Sequence, residues 1–241
     1  CPNPRAYAYN CAMKYTYLLI NLFSVLLPLI FSFHSKIRFS SDWKFAFPGI
    51  LISMAAFILW DHYFTEMGVW KFNPDYVTGV YIYNLPIEEY LFFICIPFSC
   101  LFIYKIIKLY FKNFISNQSL RYFHVLFLIF FFTVALLNND KIYSLTASAS
   151  AFVFLMLLLF LRVKYLSEFY LMYFISLIFF FIVNGLLTSL PVVMYNDLEN
   201  SGIRLYTIPM EDTIYSFLML LIPVSIYEFL QQRSVITKSN G

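Results

Sequence analysis

Two short stretches of the chain share one motif, and each opens a long apolar run. Residues 85–94 read LPIEEYLFFI, and residues 208–217 read IPMEDTIYSF. Proline is favoured in the first turn of a helix, and acidic side chains there complement the helix dipole. Each stretch therefore predicts the start of a helix, with two acids at the boundary between a polar loop and an apolar helix.

The sequence around the two motifs is duplicated. When the chain is shifted by 123 residues, positions 61–93 align with 184–216 without a gap, and seven of the 33 pairs are identical. The identical residues of the first copy are Thr65, Val69, Asn73, Gly79, Tyr83, Pro86 and Glu88. We therefore predict an internal repeat, in which each unit has two spans, an outer loop and a third span that begins at the acid motif.

The composition indicates that lipid is the solvent. Hydrophobic residues make up 61% of the 241 residues, charged residues make up 12%, and the mean hydropathy is +0.75. A soluble protein has about 25% charged residues. Because 30 Phe and 20 Tyr cannot all be buried in a core of this size, we expect an apolar surface and an integral, multi-pass protein of the cell membrane.

We predict an all-α membrane protein with about seven transmembrane helices. Crossing a bilayer takes about 20 apolar residues, and backbone polar groups in lipid must be bonded within the helix. Eleven of the 16 basic residues would lie on one side, which predicts an outside N-terminus and a cytoplasmic C-terminus. The predicted spans are 15–33, 44–60, 86–107, 122–138, 142–162, 168–188 and 209–230.

These spans divide the chain into five segments. A linker helix between the repeats adds one crossing, so we predict that the repeats are parallel and that both acid pairs face the same side of the membrane. Because Met13 and Lys14 resemble a natural start, we interpret the residues up to that point as a leader of artificial origin. The segments are a leader at 1–14, a first repeat at 15–112, a linker helix at 113–138, a second repeat at 139–230 and a cytoplasmic tail at 231–241.

The candidate catalytic residues are the four motif acids, Glu88, Glu89, Glu211 and Asp212. One such motif alone would be an ordinary helix start, but two at matched positions at the edge of the hydrocarbon indicate function. Carboxyl groups that lie close together in a low dielectric share protons, so the cluster can both donate and accept them. Neighbouring helical residues point about 100° apart. We predict that Glu88 and Glu211, identical in both copies, face the cavity, and that the other two acids brace them.

The loops before the motifs carry further polar residues that recur in both copies. Turn formation alone would explain several of them. Arg204 either neutralises part of the acid cluster or faces water, and we expect Trp70, Tyr83 and Tyr206 to form an interfacial belt. The predicted supporting residues of the site are Asp61, Asn73, Asn184, Asn196, Pro86, Pro209 and Arg204.

Several classes of protein are excluded by what the sequence lacks. The six glycines form no loop that could bind a nucleotide, and His34, His62 and His124 have no metal-ligand spacing. No Asp-rich run could hold a magnesium diphosphate, and the last span has no lysine for a retinal Schiff base. We therefore expect no metal, no cofactor and no nucleic-acid partner.

The residues from Phe72-Asn73-Pro74 through the first motif, with the second copy at 208–212, resemble the lycopene cyclase family of small membrane subunits. The chain is similar to the fused form of that family, with both halves present over 15–230. The second copy departs slightly, with Asp212 where the first has Glu89.

The resemblance implies redox-neutral cyclisation of lycopene ends into β-ionone rings by an intramolecular lyase or isomerase that uses the four motif acids. It implies a carotenoid substrate within the bilayer, contact with membrane lipid and association with other carotenoid enzymes. Three alternatives stay open at this point: a cyclase of longer carotenoids or of other ring types, a proton-coupled transporter with paired acids, and a non-enzymatic pigment-binding or interaction protein.

Overall fold

Helices dominate the computed structural model, which describes residues 13–111 and 114–239. The predicted leader falls mostly on residues 1–12, outside the described residues. Within the described ranges the chain forms seven α-helices, and six of its helical segments are long and apolar enough to cross a membrane. The helices are α1 Thr16–Phe31, α2 Trp43–Glu66, α3 Ile87–Tyr110, α4 Asn117–Leu137, α5 Ile142–Phe160, α6 Leu166–Ser189 and α7 Glu211–Ser239.

The all-α membrane class is therefore confirmed, while the inside–outside orientation stays a prediction. The first helix has 16 residues and rises about 24 Å, which makes it shorter than a full span. The second helix is longer than predicted, because a 3₁₀ turn at Phe39–Asp42 leads into it and it continues to Glu66. The last helix continues to Ser239, into the predicted tail.

Corresponding contacts recur at the 123-residue shift, which relates α2 to α6 and α3 to α7. Strand β1 (Trp70–Phe72) pairs antiparallel with strand β4 (Val193–Tyr195), so the two loops bond to each other. Two matching backbone hydrogen bonds extend the pairing. The Asn73 backbone amide donates to the Val192 carbonyl at 2.9 Å, and the Asn196 backbone amide donates to the Val69 carbonyl at 2.8 Å. This ribbon holds the starts of α3 and α7 on the same side of the molecule.

Each acid motif follows a short hairpin. Strand β2 (Tyr81–Ile82) pairs with β3 (Leu85–Pro86), and strand β5 (Arg204–Leu205) pairs with β6 (Ile208–Pro209). Tyr83 and Tyr206 occupy the turns in the left-handed region, with φ of 55° and 62°, a conformation that is uncommon for a bulky residue. The two prolines thus end a strand and deliver the acids to the first turn of α3 and α7.

Ion pairs join the opposite end of α3 to α7 and to the 3₁₀ turn before α2. Lys105 lies 2.6 Å from Asp42, which also accepts a hydrogen bond from the Tyr227 hydroxyl at 2.9 Å. Lys108 pairs with Glu228, which accepts from the Tyr104 hydroxyl at 2.8 Å. Charged groups therefore bind the bundle at the end that is remote from the acid motifs.

Helices α2 and α7 approach closely where a glycine meets a proline. A Cβ added at Gly49 would lie 2.8 Å from the Pro223 carbonyl oxygen, a distance that real Cβ atoms do not show. One turn further along α2, the Ser53 hydroxyl donates to the Met219 carbonyl at 3.1 Å. The first repeat is thereby packed tightly onto the second.

We expect Gly49→Ala to lower the thermal stability of the protein in detergent, because the added methyl group would force α2 away from Pro223 at a cost of about 1–3 kcal/mol. Gly185→Ala in α6 is the matched control, since no described atom beyond its chain neighbours and the backbone of its own helix lies within 4 Å of the added Cβ. The measurement is the midpoint temperature of aggregation, determined by size-exclusion chromatography of heated samples. Equal midpoints for the two variants would contradict the close approach.

Candidate active site

A cavity of about 680 Å³ lies between α1, α3 and α6, and α7 forms part of its wall. It is lined mainly by apolar side chains and runs from Tyr17 to Phe31 along α1 and from Glu89 to Ile103 along α3. Fourteen helical residues rise about 21 Å, so the cavity is long and narrow. A long, narrow, apolar cavity is suited to an extended hydrocarbon rather than to a compact polar ligand.

The cavity reaches the lipid-facing surface between α1 and α6. Among its lining residues, Phe23 and Leu27 of α1 are 70% and 62% exposed, and Phe179 and Ile182 of α6 are 54% and 57% exposed. In a membrane these side chains face acyl chains. A hydrophobic molecule could therefore enter sideways without crossing water.

Three carboxyl groups line the end of the cavity nearest the two hairpins: Asp61 of α2, Glu89 of α3 and Asp212 of α7. All three side chains are buried. They come from both repeats, as the predicted parallel arrangement requires. The structure thus brings together one predicted supporting residue and two of the four predicted catalytic acids.

Glu89 and Asp61 form a carboxyl pair, each member of which accepts a phenol hydrogen bond. The Tyr17 hydroxyl donates to Glu89 Oε2 at 2.5 Å, and the Tyr215 hydroxyl donates to Asp61 Oδ1 at 2.5 Å. Both carboxyl groups line the same end of the cavity. Ionising two neighbouring buried carboxyl groups together is costly, so we expect this pair to retain one proton at rest.

Asp212 has a different environment, with a phenol on each oxygen. The Tyr143 hydroxyl donates to Oδ1 at 2.7 Å, and the Tyr195 hydroxyl donates to Oδ2 at 2.8 Å. Burial, reinforced by the Asp212 charge, raises the pKa of Tyr195 well above its usual value, so this phenol stays protonated and remains a donor. Two donated hydrogen bonds stabilise a carboxylate.

The prediction that Glu88 and Glu211 face the cavity is wrong. Both side chains turn towards the preceding loops, where the backbone amides of Thr78 and Ser201 donate to their Oε1 atoms at 2.7 Å. Ser144 adds a hydrogen bond to Glu211 Oε1 at 2.5 Å. The identity of this acid in both copies therefore reflects a shared tie between loop and helix, while the second acid of each motif points about 100° away, into the cavity.

Most of the remaining supporting residues shape the loops. The side chains of Asn73 and Asn196 accept hydrogen bonds from the amides of Asp75 and Leu198 at 3.0 and 3.1 Å, so both close turns. Asn184 lines the cavity. Pro86 and Pro209 end the hairpin strands and start the helices, as described above.

Arg204 pairs with an acid of the loop rather than with a carboxyl group of the cavity. Its guanidinium pairs with Asp197 at 2.5 Å, and this hydrogen bond holds the pKa of Asp197 below its usual value. The Arg204 guanidinium also donates to the Thr207 carbonyl at 2.7 Å and lies 6.0 Å from the centre of the Tyr195 ring. Arg204 therefore fixes the second hairpin loop and flanks a phenol that bonds Asp212.

The aromatic residues of the loops separate into two groups. Tyr83 and Tyr206 are 87% and 85% exposed, as expected of an interfacial belt. Trp70 does not belong to the belt, since it is buried, lines the cavity and packs edge-on against Tyr143 and Tyr195 at 5.2 and 5.9 Å. Its position in β1, paired with Tyr195 in β4, places it inside the molecule.

Sequence reasoning missed all four phenols that bind the acids: Tyr17, Tyr143, Tyr195 and Tyr215. Tyr17 and Tyr143 hold equivalent positions on the first helix of each repeat, but they are 126 residues apart, three more than the shift that aligns the motifs. Among 20 tyrosines, this spacing was the one available signal. In the described part of the chain, no group of three or more His, Cys, Asp or Glu side chains is placed to hold a metal ion.

Comparisons with known proteins give a family. The family model described as lycopene cyclase matches residues 14–107 and 140–230, one segment on either side of α4. No solved structure matches the chain.

Three relatives described as bifunctional lycopene cyclase/phytoene synthase are similar over short stretches. The protein of Aspergillus oryzae is 33% identical over 66 residues, which cover 27% of this chain and 11% of that protein. The protein of Podospora anserina is 29% identical over 87 residues, 36% of this chain and 14% of that protein. The protein of Aspergillus niger is 29% identical over 79 residues, 30% of this chain and 14% of that protein.

The matched stretches therefore span no more than 14% of the length of these relatives, and the family model carries the assignment. Its two segments together cover well over half of the chain. They include both acid motifs, both hairpins and the helices that line the cavity. The chain belongs to the lycopene cyclase family.

Proposed function

We propose that this protein is a carotenoid end-group cyclase that converts the linear ends of lycopene into β-ionone rings. The observation that supports this most directly is the placement of Asp61, Glu89 and Asp212 at one end of a long apolar cavity that opens to lipid. Membership of the lycopene cyclase family points to the same chemistry.

The shape of the cavity suits a linear polyene. Such a substrate is dissolved in the bilayer, and the opening between α1 and α6 would admit it sideways. The rise of about 21 Å along the lining helices lets one end group reach the carboxyl groups while the rest of the chain contacts the apolar walls. Longer carotenoids with the same end group fit this description equally well.

The reaction needs one proton donor, one base and a dry site. A carboxyl group adds a proton to the terminal double bond of the substrate, which leaves a tertiary cation. The next double bond along the chain attacks this cation and closes the ring, which creates a second tertiary cation. A carboxylate then removes a proton from a carbon beside that cation, and a ring double bond forms. One proton is gained and one is lost, so the reaction is redox-neutral.

The walls of the cavity end would stabilise the cations. Trp70, Tyr143, Tyr195 and Tyr215 all line the cavity near the acids, and aromatic faces attract positive charge. The apolar lining excludes water, which would otherwise capture a cation. The phenol groups that hold the carboxyl groups therefore have a second use as part of an aromatic shell.

The structure gives less support to a proton-coupled transporter than to a cyclase. A proton pathway through the bundle would need polar groups between its two ends. On α3, which lines the cavity for most of its length, positions 90–104 carry no Asp, Glu, Lys, Arg or His. The charged groups of this helix are confined to the acid motif at one end and to Lys105 and Lys108 at the other.

We expect Glu89→Gln and Asp212→Asn each to lower cyclic carotene formation by about 100-fold or more, since a general acid or base contributes about 10²–10⁴-fold. The measurement is the ratio of cyclic to linear carotenes, determined by liquid chromatography, in a lycopene-accumulating host. The amount of each variant in the membrane is determined by immunoblot.

Glu88→Gln and Glu211→Gln are the matched controls, because an amide oxygen can still accept the hydrogen bonds from Thr78 and Ser201. We expect both to retain most of the activity. Unchanged lycopene with the wild-type protein present in the membrane would overturn the lycopene assignment. A larger loss in the controls than in Glu89→Gln and Asp212→Asn would overturn the choice of facing acids.

We also expect Ile182→Trp to slow cyclisation several-fold, because it narrows the opening between α1 and α6. Ile178→Trp is the control: it changes the same residue type one turn away on the same helix, it is similarly exposed at 62%, and it does not line the cavity. Initial rates are measured in liposomes with a fixed ratio of lycopene to lipid. Equal rates for the two variants would exclude entry by this route.

A further inference from the structure

The carboxyl groups at the cavity end differ in number and partners between the repeats. The first repeat supplies two, Asp61 and Glu89, with one phenol donor each. The second repeat supplies one, Asp212, with a phenol donor on each oxygen. Repulsion within a buried pair favours the retention of one proton, while two donated hydrogen bonds favour the ionised form of a single carboxyl group.

The alignment of the two repeats shows the same difference in their residues. At the 123-residue shift, Asp61 corresponds to Asn184, so the second repeat has an amide where the first has its second carboxyl. Tyr215, the phenol donor to Asp61, corresponds to Phe92, which has no hydroxyl. Both halves of the Asp61–Tyr215 interaction are thus absent from the equivalent place, and they join α2 of the first repeat to α7 of the second.

We propose that the two repeats perform opposite proton transfers, in which the Asp61–Glu89 pair delivers the proton that starts ring closure and Asp212 removes the proton that ends it. This assignment rests on the proposed cyclase function. Glu89 and Asp212 lie on different helices but line the same end of one cavity, so a bound end group could contact both.

The transfers balance over one turnover. The carboxyl pair gives its shared proton to the terminal double bond and becomes fully ionised. Ring closure forms one carbon–carbon bond and moves the positive charge to a ring carbon. Asp212 then takes a proton from a neighbouring carbon and becomes a neutral acid. The cycle closes when one proton returns from Asp212 to the pair, with no oxidant or reductant consumed.

Under this assignment, Asp212 also determines the type of ring. The second cation has protons on more than one neighbouring carbon, and the proton that is lost fixes the position of the ring double bond. The position of the Asp212 carboxylate, set by Tyr143 and Tyr195 on its two oxygens, would select one of them. The donor pair acts before the ring exists and has no influence on this choice.

The decisive test changes the side-chain length at Glu89 and at Asp212, one position at a time. Glu89→Asp and Asp212→Glu each keep a carboxyl group but move it by about one methylene. We expect Glu89→Asp to lower the total amount of ring product by about tenfold or more with the wild-type ratio of ring isomers. We expect Asp212→Glu to change the ratio of ring isomers, as measured by chromatography with absorption and mass detection of carotenes from the lycopene-accumulating host.

Asp61→Asn tests the role of the pair, and we expect it to abolish all ring isomers alike at a wild-type level of protein in the membrane. Glu88→Gln serves as the control for the isomer ratio. A changed ratio in Glu89→Asp with an unchanged ratio in Asp212→Glu would reverse the roles, and an unchanged ratio in both, or a fully active Asp61→Asn, would overturn the proposal. Failure of the cyclase function itself is distinguishable, because the wild-type protein would then yield no ring product.

Discussion

A carboxyl group in an apolar interior must be given hydrogen-bond donors or share a proton, because its ionised form is otherwise too costly to bury. Much of the architecture around the cavity satisfies this requirement. Tyr17 and Tyr143 come from the first helix of each repeat, Tyr195 comes from the inter-repeat ribbon, and Tyr215 comes from the last helix. Any displacement of these elements would leave an acid without its donor, so packing and site geometry stabilise each other.

The fold class and the place of the candidate site could be predicted from the sequence because both depend on patterns that repeat. Long apolar runs indicate helices in lipid, and a motif that occurs twice at one spacing draws attention to its acids. The choice between adjacent acids could not be made in this way. A helix start fixes the angle between Glu88 and Glu89 but not the rotation of α3, which depends on the amide of Thr78 in the folded loop. The phenol donors were missed because contacts such as that between Tyr17 and Glu89 join residues 72 positions apart.

The duplication relates two regions of the molecule, and the cavity occupies one of them. The cavity lies beside α1, α3 and α6, and the related region beside α5, α7 and α2 is packed. There, α2 closes on α7 at Gly49 and Pro223, and Phe127 and Phe131 of α4 contact Phe217 at 4.9 and 5.1 Å. The linker helix therefore fills space in addition to returning the chain to its starting side. With one of the two related regions filled, both copies of the acid motif contribute a carboxyl group to the same cavity.

Because the cavity opens to lipid between α1 and α6, its occupancy depends on the concentration of a molecule within the membrane. A molecule that enters sideways is present as a mole fraction of the membrane and arrives by diffusion in two dimensions. Its occupancy of the cavity then depends on how many lipid molecules it is diluted among, and the volume of surrounding water has no part in it. Added lipid would lower occupancy at constant total substrate, and a change in acyl-chain order would alter the rate of arrival without any change in the protein.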